Sequence, residues 1–176
     1  MQIIRATQKL LKELDVKGTI LPKEVVPIAP LGPWYANLLR IDRRKCILFT
    51  HEETLYSFLV TGVRKKDLNN FRGLFSVHLG LNLQAENFPT SVIDLINKQN
   101  EKLEITKTTN RSTLGSMNDQ SFAYKVHVEH EGGVDGCAML EINKRINRTP
   151  MGALGYKYPI EKLAEKLRVK DHITIR

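Results

Sequence analysis

The sequence has only two cysteines, Cys46 and Cys137, and neither belongs to a Cys-x-x-Cys pair. A disulfide framework or a cysteine-based metal site needs more thiols at closer spacing, so both are expected to be free in a reducing compartment. Long apolar runs are also missing. Residues 46–49 and 56–60 fall far short of a membrane span, and the opening MQIIRATQKLLKEL is amphipathic rather than a signal-peptide core. These absences predict a cytoplasmic protein that does not enter a membrane.

The chain also lacks the common motifs of catalysis and cofactor binding. It has no nucleophile elbow, no glycine-rich phosphate loop and no Ser/His/Asp spacing. His127 and His130 would share one face of a helix with Glu131 nearby, but this spacing is not that of an established metal motif. The sequence therefore predicts no metal and no cofactor.

Positive charge is what the chain has in excess. It contains 27 Lys and Arg against 19 Asp and Glu, a formal net charge of +8. Such a charge favours polyanionic partners, nucleic acid above all, through long-range attraction and counterion release. The basic residues cluster in three places: Arg40 with Arg43, Arg44 and Lys45; Arg64 with Lys65 and Lys66; and Lys144 with Arg145 and Arg148.

Two aromatic residues, Trp34 and Tyr35, precede the first basic cluster in the sequence. An exposed aromatic ring beside cations can stack on the bases of a single-stranded nucleic acid. The alternative, which the usual burial of tryptophan favours, is that Trp34 belongs to the core.

Hydrophobic periodicity predicts one α+β domain over residues 1–176, with an antiparallel sheet built around strands in 34–60 and three or more packed helices. Strands are predicted at 2–6, 34–41, 46–50 and 103–108, with a hairpin loop at 42–45, and a strand at 55–60 is favoured over a helix from Thr54. Helices are predicted from a Thr7 cap to Gly18, over 64–83, from Pro89 and from Pro159, and an edge strand at 171–176. Four prolines between residues 22 and 33 indicate an irregular connector.

Residues 110–130 fit two patterns. Leu114, Met117, Tyr124 and Val128 form a helical stripe, whereas residues 122–129 also alternate as a strand would. A helix is favoured because Asn110 and Ser112 can cap it. The rival is a strand that turns at 132–133 and returns through 137–142.

A short element occurs twice, as LEITKTTNRSTLG at 103–115 and as LEINKRINRTPMG at 140–152. The match does not extend beyond these segments, which argues against a structural repeat. Turn and capping chemistry is the favoured interpretation. The alternatives are coincidence and a single anion bound by Arg111 and Arg148, whose guanidinium groups suit phosphate or carboxylate.

The candidates for acid–base catalysis are His51, Glu52 and Glu53, at the end of a predicted strand, and Asp119 in GSMND. Polar residues at strand ends usually begin a solvated loop, and Asp119 can equally serve as a cap. No spacing among the four residues identifies a reaction.

Four segments resemble a bacterial family known only as a domain of unknown function: IIRATQKLL (3–11), LGPWYANLLRIDRRKCILFTHEETLYSFL (31–59), NRSTLGSMND (110–119) and INRTPMGALGYKYPIE (146–161). The most specific parts are WYANLLRIDRRKC and LGSMND. That family brings no activity, cofactor or catalytic residue with it, so the resemblance implies only a free-standing bacterial cytoplasmic protein.

Three functions therefore remain. The favoured one is binding of nucleic acid or another polyanion without catalysis, through Arg43, Arg44, Arg111 and Arg148. The second is a hydrolytic or phosphodiester-cleaving enzyme that uses His51, Glu52, Glu53 and Asp119, with Arg111 as a further candidate. The third is a protein-interaction partner in a two-component system. A binder needs a continuous basic surface, whereas an enzyme needs carboxylates and a histidine that meet in a cleft beside the arginines.

Overall fold

The computed structural model describes residues 1–16 and 31–169, which form a five-stranded mixed sheet with helices on both faces. The strands are β1 Gln2–Ala6, β2 Trp34–Ile41, β3 Arg44–His51, β4 Ser57–Val60 and β5 Leu103–Lys107. Their order across the sheet is β4-β3-β2-β1-β5. The α+β class expected from the periodicity is confirmed.

The sheet is antiparallel in one part and parallel in the other. β2 pairs with β3, and β3 with β4, in antiparallel fashion, whereas β1 lies parallel to both β2 and β5. The expected antiparallel sheet is therefore correct for residues 34–60 and wrong for β1 and β5. Parallel neighbours need a long crossover, and here α1 and the helices before β5 belong to those connections.

The helices are α1 Gln8–Leu14, α2 Lys65–Asn69, α3 Phe71–Ala85, α4 Thr90–Gln99, α5 Arg111–His130, α6 Met139–Ile146 and α7 Pro159–Lys166, with a 3₁₀ turn at Gly152–Leu154. Within the described residues, no helix is both long enough and apolar enough to cross a membrane. The helix expected over 64–83 is interrupted at Asn70, whose side chain accepts a hydrogen bond from Gly73 N at 3.2 Å and caps α3.

The ambiguous stretch 110–130 is a helix, as favoured. Asn110 Oδ1 accepts hydrogen bonds from the backbone N–H groups of Ser112 and Thr113, at 2.9 and 3.3 Å. The rival strand through 137–142 is wrong, because those residues lead into α6. α1 ends at Leu14 with Asp15 in left-handed backbone, and the expected closure at Gly18, most of the proline-rich connector and the edge strand at 171–176 lie outside the described residues.

Alternate residues of the strands supply two cores. On the first face, Trp34 packs edge-on against Phe75 of α3 with ring centroids 5.5 Å apart. α1, α2, α4 and α7 also cover this face. On the second face, Tyr35 and Leu48 pack with Tyr124 of α5, and α6 completes the layer. The period of two along each strand thus decides which helices a residue meets.

Side chains of α6 cover the outer edge of β4. Asn147 accepts a hydrogen bond from Ser57 N at 2.8 Å and donates one to Ser57 O at 2.7 Å. Asn143, one helical turn earlier, accepts from Leu59 N at 3.0 Å. An edge strand exposes unpaired backbone groups that invite another strand, and these two amides bond three of them: the N–H groups of Ser57 and Leu59 and the carbonyl of Ser57.

Candidate nucleic-acid interface

Two of the basic clusters recognised in the sequence meet at one end of the sheet. Val63 N donates a hydrogen bond to Lys45 O at 2.8 Å, which places the start of α2 beside the start of β3. Lys45 Nζ contacts Glu13 Oε2 at 2.6 Å and so brings the end of α1 to the same place. This hydrogen bond lowers the pKa of Glu13.

We call this surface the basic end and define it by eight residues: Lys12, Arg40, Arg43, Arg44, Lys45, Arg64, Lys65 and Lys66. Six of them are exposed and make no ion pair with any residue in 1–16 or 31–169: Lys12, Arg40, Arg43, Arg64, Lys65 and Lys66. Among the described residues, no acid is ion-paired with these six charges and would have to be displaced by a polyanion.

Arg43 lies at the tip of the β2–β3 hairpin. The expected loop of four residues is a turn of two, Asp42 and Arg43, with φ values of 50° and 62°. Positive φ at both central positions is the geometry of a type I′ turn, which matches the twist of the strands. Arg44 and Lys45 instead pair with Ile41 and Arg40 as the first residues of β3.

The second face of the hairpin is covered by the loop between α5 and α6. Arg44 pairs with Asp135 at 2.7 Å, and Asp42 Oδ2 accepts a hydrogen bond from Val134 N at 2.7 Å. A Cβ atom on Gly133, whose φ is +82°, would lie 2.4 Å from Asp42 Oδ2, so another residue here would strain the backbone and displace the Asp42 carboxylate. Arg44 is therefore held by an acid, while Arg40 and Lys45 lie on the other face with α1 and α2.

Trp34 and Tyr35 are not a stacking platform. Both residues are fully buried, one in each core, and neither ring is open to a base. The Trp34 ring lies against His51, Tyr56, Phe58 and Phe75. The interpretation of Trp34 as a core residue is therefore correct. Both Trp34 and Tyr35, the first residues of β2, pack in the interior.

His51 is an interior residue and not a general base. Its Nδ1 accepts hydrogen bonds from Thr54 N at 3.0 Å and Thr54 Oγ1 at 2.9 Å, so Nε2 carries the proton and donates it to Leu31 O. Burial lowers the pKa of the imidazole from 6.5 to about 4. Both ring nitrogens are engaged, and none is free for a substrate.

The other three catalytic candidates, Glu52, Glu53 and Asp119, have different neighbours. Glu52 accepts a hydrogen bond from Tyr35 Oη at 3.3 Å and lies 3.7 Å from Arg5 Nε. Glu53 pairs with Lys166 after β3, near α7. Asp119 is exposed on α5. The structure does not gather these residues with His51 into one cleft, so the set assembles no catalytic centre.

The repeated sequence element has two unrelated structures. Residues 103–107 are strand β5, whereas the matching residues 140–144 belong to helix α6. Asn110 caps the start of α5, but its counterpart Asn147 follows the end of α6. The Asn110 side chain caps a helix, whereas the Asn147 side chain bonds Ser57 of β4, so the register of the match carries no structural meaning.

Arg148 is fully engaged by an acid. Its Nη1 and Nη2 donate to the two carboxylate oxygens of Glu86 at 2.9 and 2.7 Å, and Nη1 also donates to Lys144 O. The Glu86 side chain is only 1% exposed, and this pairing raises the pKa of Arg148. Arg111 is exposed at the start of α5, so the bidentate edge of Arg148 is not available for a ligand shared with it.

The third basic cluster is neutralised in the same way. Lys144 pairs with Glu141 at 3.4 Å and Arg145 with Glu131 at 2.5 Å, and Arg145 also approaches His127 Nδ1 at 3.4 Å. In the part of the chain that the structure describes, no three His, Cys, Asp or Glu side chains are grouped as metal ligands. The expected lack of a metal stays a prediction.

A row of polar side chains crosses the second face and was missed in the sequence. Register places Thr106, Arg5, Tyr35, Thr50 and Ser57 side by side on the five strands. α5 meets this row with two further buried side chains: Gln120, which bonds Thr50 at 2.8 Å and Leu55 O at 2.7 Å, and Tyr124, whose hydroxyl lies 3.1 Å from that of Ser57. The sequence signal that could have indicated this row is the occurrence of polar residues within otherwise apolar strands.

Comparison with protein families identifies the chain. The model of a domain of unknown function, DUF6933, matches residues 3–162. The protein belongs to this family. Comparison with curated proteins and with solved structures gave no match. DUF6933 membership agrees with the resemblance seen in the sequence and assigns no residue a role.

Proposed function

We propose that this DUF6933 protein binds nucleic acid through the basic end. The observation that carries the proposal is the convergence of two basic clusters and the end of α1 around Lys45, although the clusters are well separated in the sequence. Six exposed cations there have no acidic partner in the described residues, whereas the cluster on α6 is paired with acids throughout.

The physical basis of the binding is the neutralisation of phosphates. Each lysine or arginine that contacts a phosphate releases condensed counterions, and this favourable entropy requires no base contact. The net charge of +8 adds a long-range attraction that accelerates encounter. The cations of the basic end belong neither to the two cores nor to the contacts of Asn143 and Asn147 with β4, so binding there leaves both undisturbed.

Charge reversal tests the location of the site. In Arg43→Glu/Lys65→Glu, two exposed side chains of the basic end lose their attraction for phosphate, and the affinity for a short fluorescent duplex should fall about 100-fold near 0.1 M salt. Fluorescence anisotropy measures the affinity, and a thermal unfolding curve checks that the variant is folded.

The matched control is Lys102→Glu/Lys157→Glu, which makes the same change in net charge. Lys102 lies where β5 begins, because its carbonyl accepts from Gln2 N. Lys157 lies in a turn bridged to Met151, near the start of β4 and away from the hairpin tip. The control should lose less than about fivefold, from long-range attraction alone. Equal losses in the two variants would show that net charge, and not the basic end, determines binding.

A further inference from the structure

We infer that the ligand of the basic end is duplex nucleic acid, held through its phosphates without base stacking. The inference rests on the proposed function and concerns which form of nucleic acid this surface suits. It follows from where the aromatic residues of the chain lie relative to the exposed cations.

All the aromatic residues of the chain, one Trp, five Tyr and six Phe, lie within the described residues. Only Phe122 and Tyr156 are exposed, at 72% and 78%. Single-strand binders combine a basic groove with exposed rings on which successive bases stack. Tyr158 is half-buried against the first-face core, so Phe122 and Tyr156 are the two aromatic rings that present a largely open face to a base.

Neither exposed ring belongs to the basic end. Phe122 is on α5, which covers the second face of the sheet, whereas α1, α2, Arg40 and Lys45 are on the first face. Tyr156 is in the turn closed by the Met151–Lys157 bridge, in the segment that leads from Asn147 to Ile160. Asn147 bonds Ser57 at the start of β4, whereas the hairpin tip lies beyond the other end of that strand.

A surface that offers cations but no aromatic rings distinguishes duplex from single-stranded nucleic acid by the charge density of the ligand. Duplex DNA carries about one charge per 1.7 Å of axis, and the salt exponent per phosphate contact is about 0.9 for a duplex against about 0.7 for a single strand. With six contacts, this difference corresponds to about tenfold tighter binding of the duplex near 0.1 M salt. The same reasoning predicts no dependence on base identity, since phosphates are common to every sequence.

The experiment compares one fluorescent duplex, its two separated strands, and oligo-dA and oligo-dT of the same length, at one salt concentration. The duplex should bind about tenfold tighter than any single strand, and the single strands should agree within about twofold. Phe122→Ala and Tyr156→Ala should each leave all affinities within about twofold of wild type, because neither ring contacts the ligand.

Three results would overturn the inference: a single strand that binds tighter than the duplex, a marked preference among the single strands, or loss of binding in either aromatic variant. If the Arg43→Glu/Lys65→Glu variant still loses affinity in those cases, the proposed function stands and only the form of the ligand is wrong. Absence of binding to every nucleic acid at low salt would instead refute the proposed function itself.

Discussion

At the scale of single residues, His51 shows how burial changes the role of a polar side chain. It is completely buried, holds Thr54 and Leu31 through its two ring nitrogens, and packs edge-on against Trp34 at 5.2 Å. Folding keeps the imidazole neutral, because burial lowers its pKa to about 4. The unfolded chain binds a proton near the ordinary value of about 6.5.

This difference makes the stability of the protein depend on pH. The contribution of His51 is complete above the unfolded pKa of about 6.5 and is lost as the pH falls toward the folded pKa of about 4, because only the unfolded state takes up a proton in that window. The loss due to His51 should be about 2 kcal/mol by about pH 5. Urea unfolding at about pH 7 and about pH 5 measures it.

His51→Gln should remove this part of the pH dependence, whereas His130→Gln, at an exposed residue on α5, should retain the wild-type slope. Half-buried His78, whose pKa is also lowered by partial burial, contributes in the same direction in all three proteins. A slope that is unchanged in His51→Gln would contradict the assignment of His51 as a neutral core residue.

For single residues, the sequence allowed us to predict roles that depend on the residue's own helix or strand better than contacts with residues that are distant in the sequence. Asn110 was correctly predicted as a cap, since a cap depends only on its own helix. Thr7 was expected to do the same, but its hydroxyl donates to Asn37 Oδ1 of β2 at 2.9 Å. Trp34 was correctly favoured as a core residue, but its packing against Phe75 of α3 and the burial of His51 against Leu31 could not be predicted, because these partners are distant in the sequence.

At the scale of elements, the Arg148–Glu86 pair joins the end of α6 to the end of α3. Asn143 Nδ2 adds a hydrogen bond to Asn82 Oδ1 at 2.8 Å across the same contact. Because the Glu86 carboxylate is buried, it depends on the guanidinium group for compensation of its charge. This contact also holds the helix that covers the β4 edge.

Removing one partner should be costly. Arg148→Ala leaves a buried carboxylate unpaired and should lower the free energy of unfolding by about 3 kcal/mol. Arg111→Ala, at the matching position of the repeated element, removes an exposed side chain and should cost less than about 0.5 kcal/mol. Urea denaturation of the two variants makes the comparison, and similar losses in both would contradict the account of the repeat as two unrelated structures.

Elements with a strong local signal were predictable. The β2–β3 hairpin and the proline-started α7 follow from alternation and periodicity, whereas the period of α5 was ambiguous and its cap residues favoured the helix. The interruption at Asn70 was missed, because the apolar spacing from Leu68 to Leu83 continues through it. Helix α6 was not predicted, because residues 137–142 were considered only as the return strand of the rival interpretation of 110–130; in the structure Ile142 and Ile146 of α6 pack on the second face.

At the scale of the whole molecule, the order of the strands in the sheet could not be predicted from the sequence. Nothing in QIIRA or LEITK shows that β1 and β5 are parallel neighbours, since that pairing depends on crossovers through helices. The convergence of the basic clusters was hidden for the same reason. Each cluster is visible in the sequence, but only the contact of Val63 with Lys45 makes them one surface.

The steepness of the salt dependence tests the central claim most directly. Binding of a duplex through the six exposed cations of the basic end predicts that log K falls against log salt with a slope of about −5. Arg43→Gln/Lys65→Gln should make this slope less steep by about 2, whereas Lys102→Gln/Lys157→Gln should leave it unchanged. Absence of binding at low salt, or the same slope in all three proteins, would contradict the account.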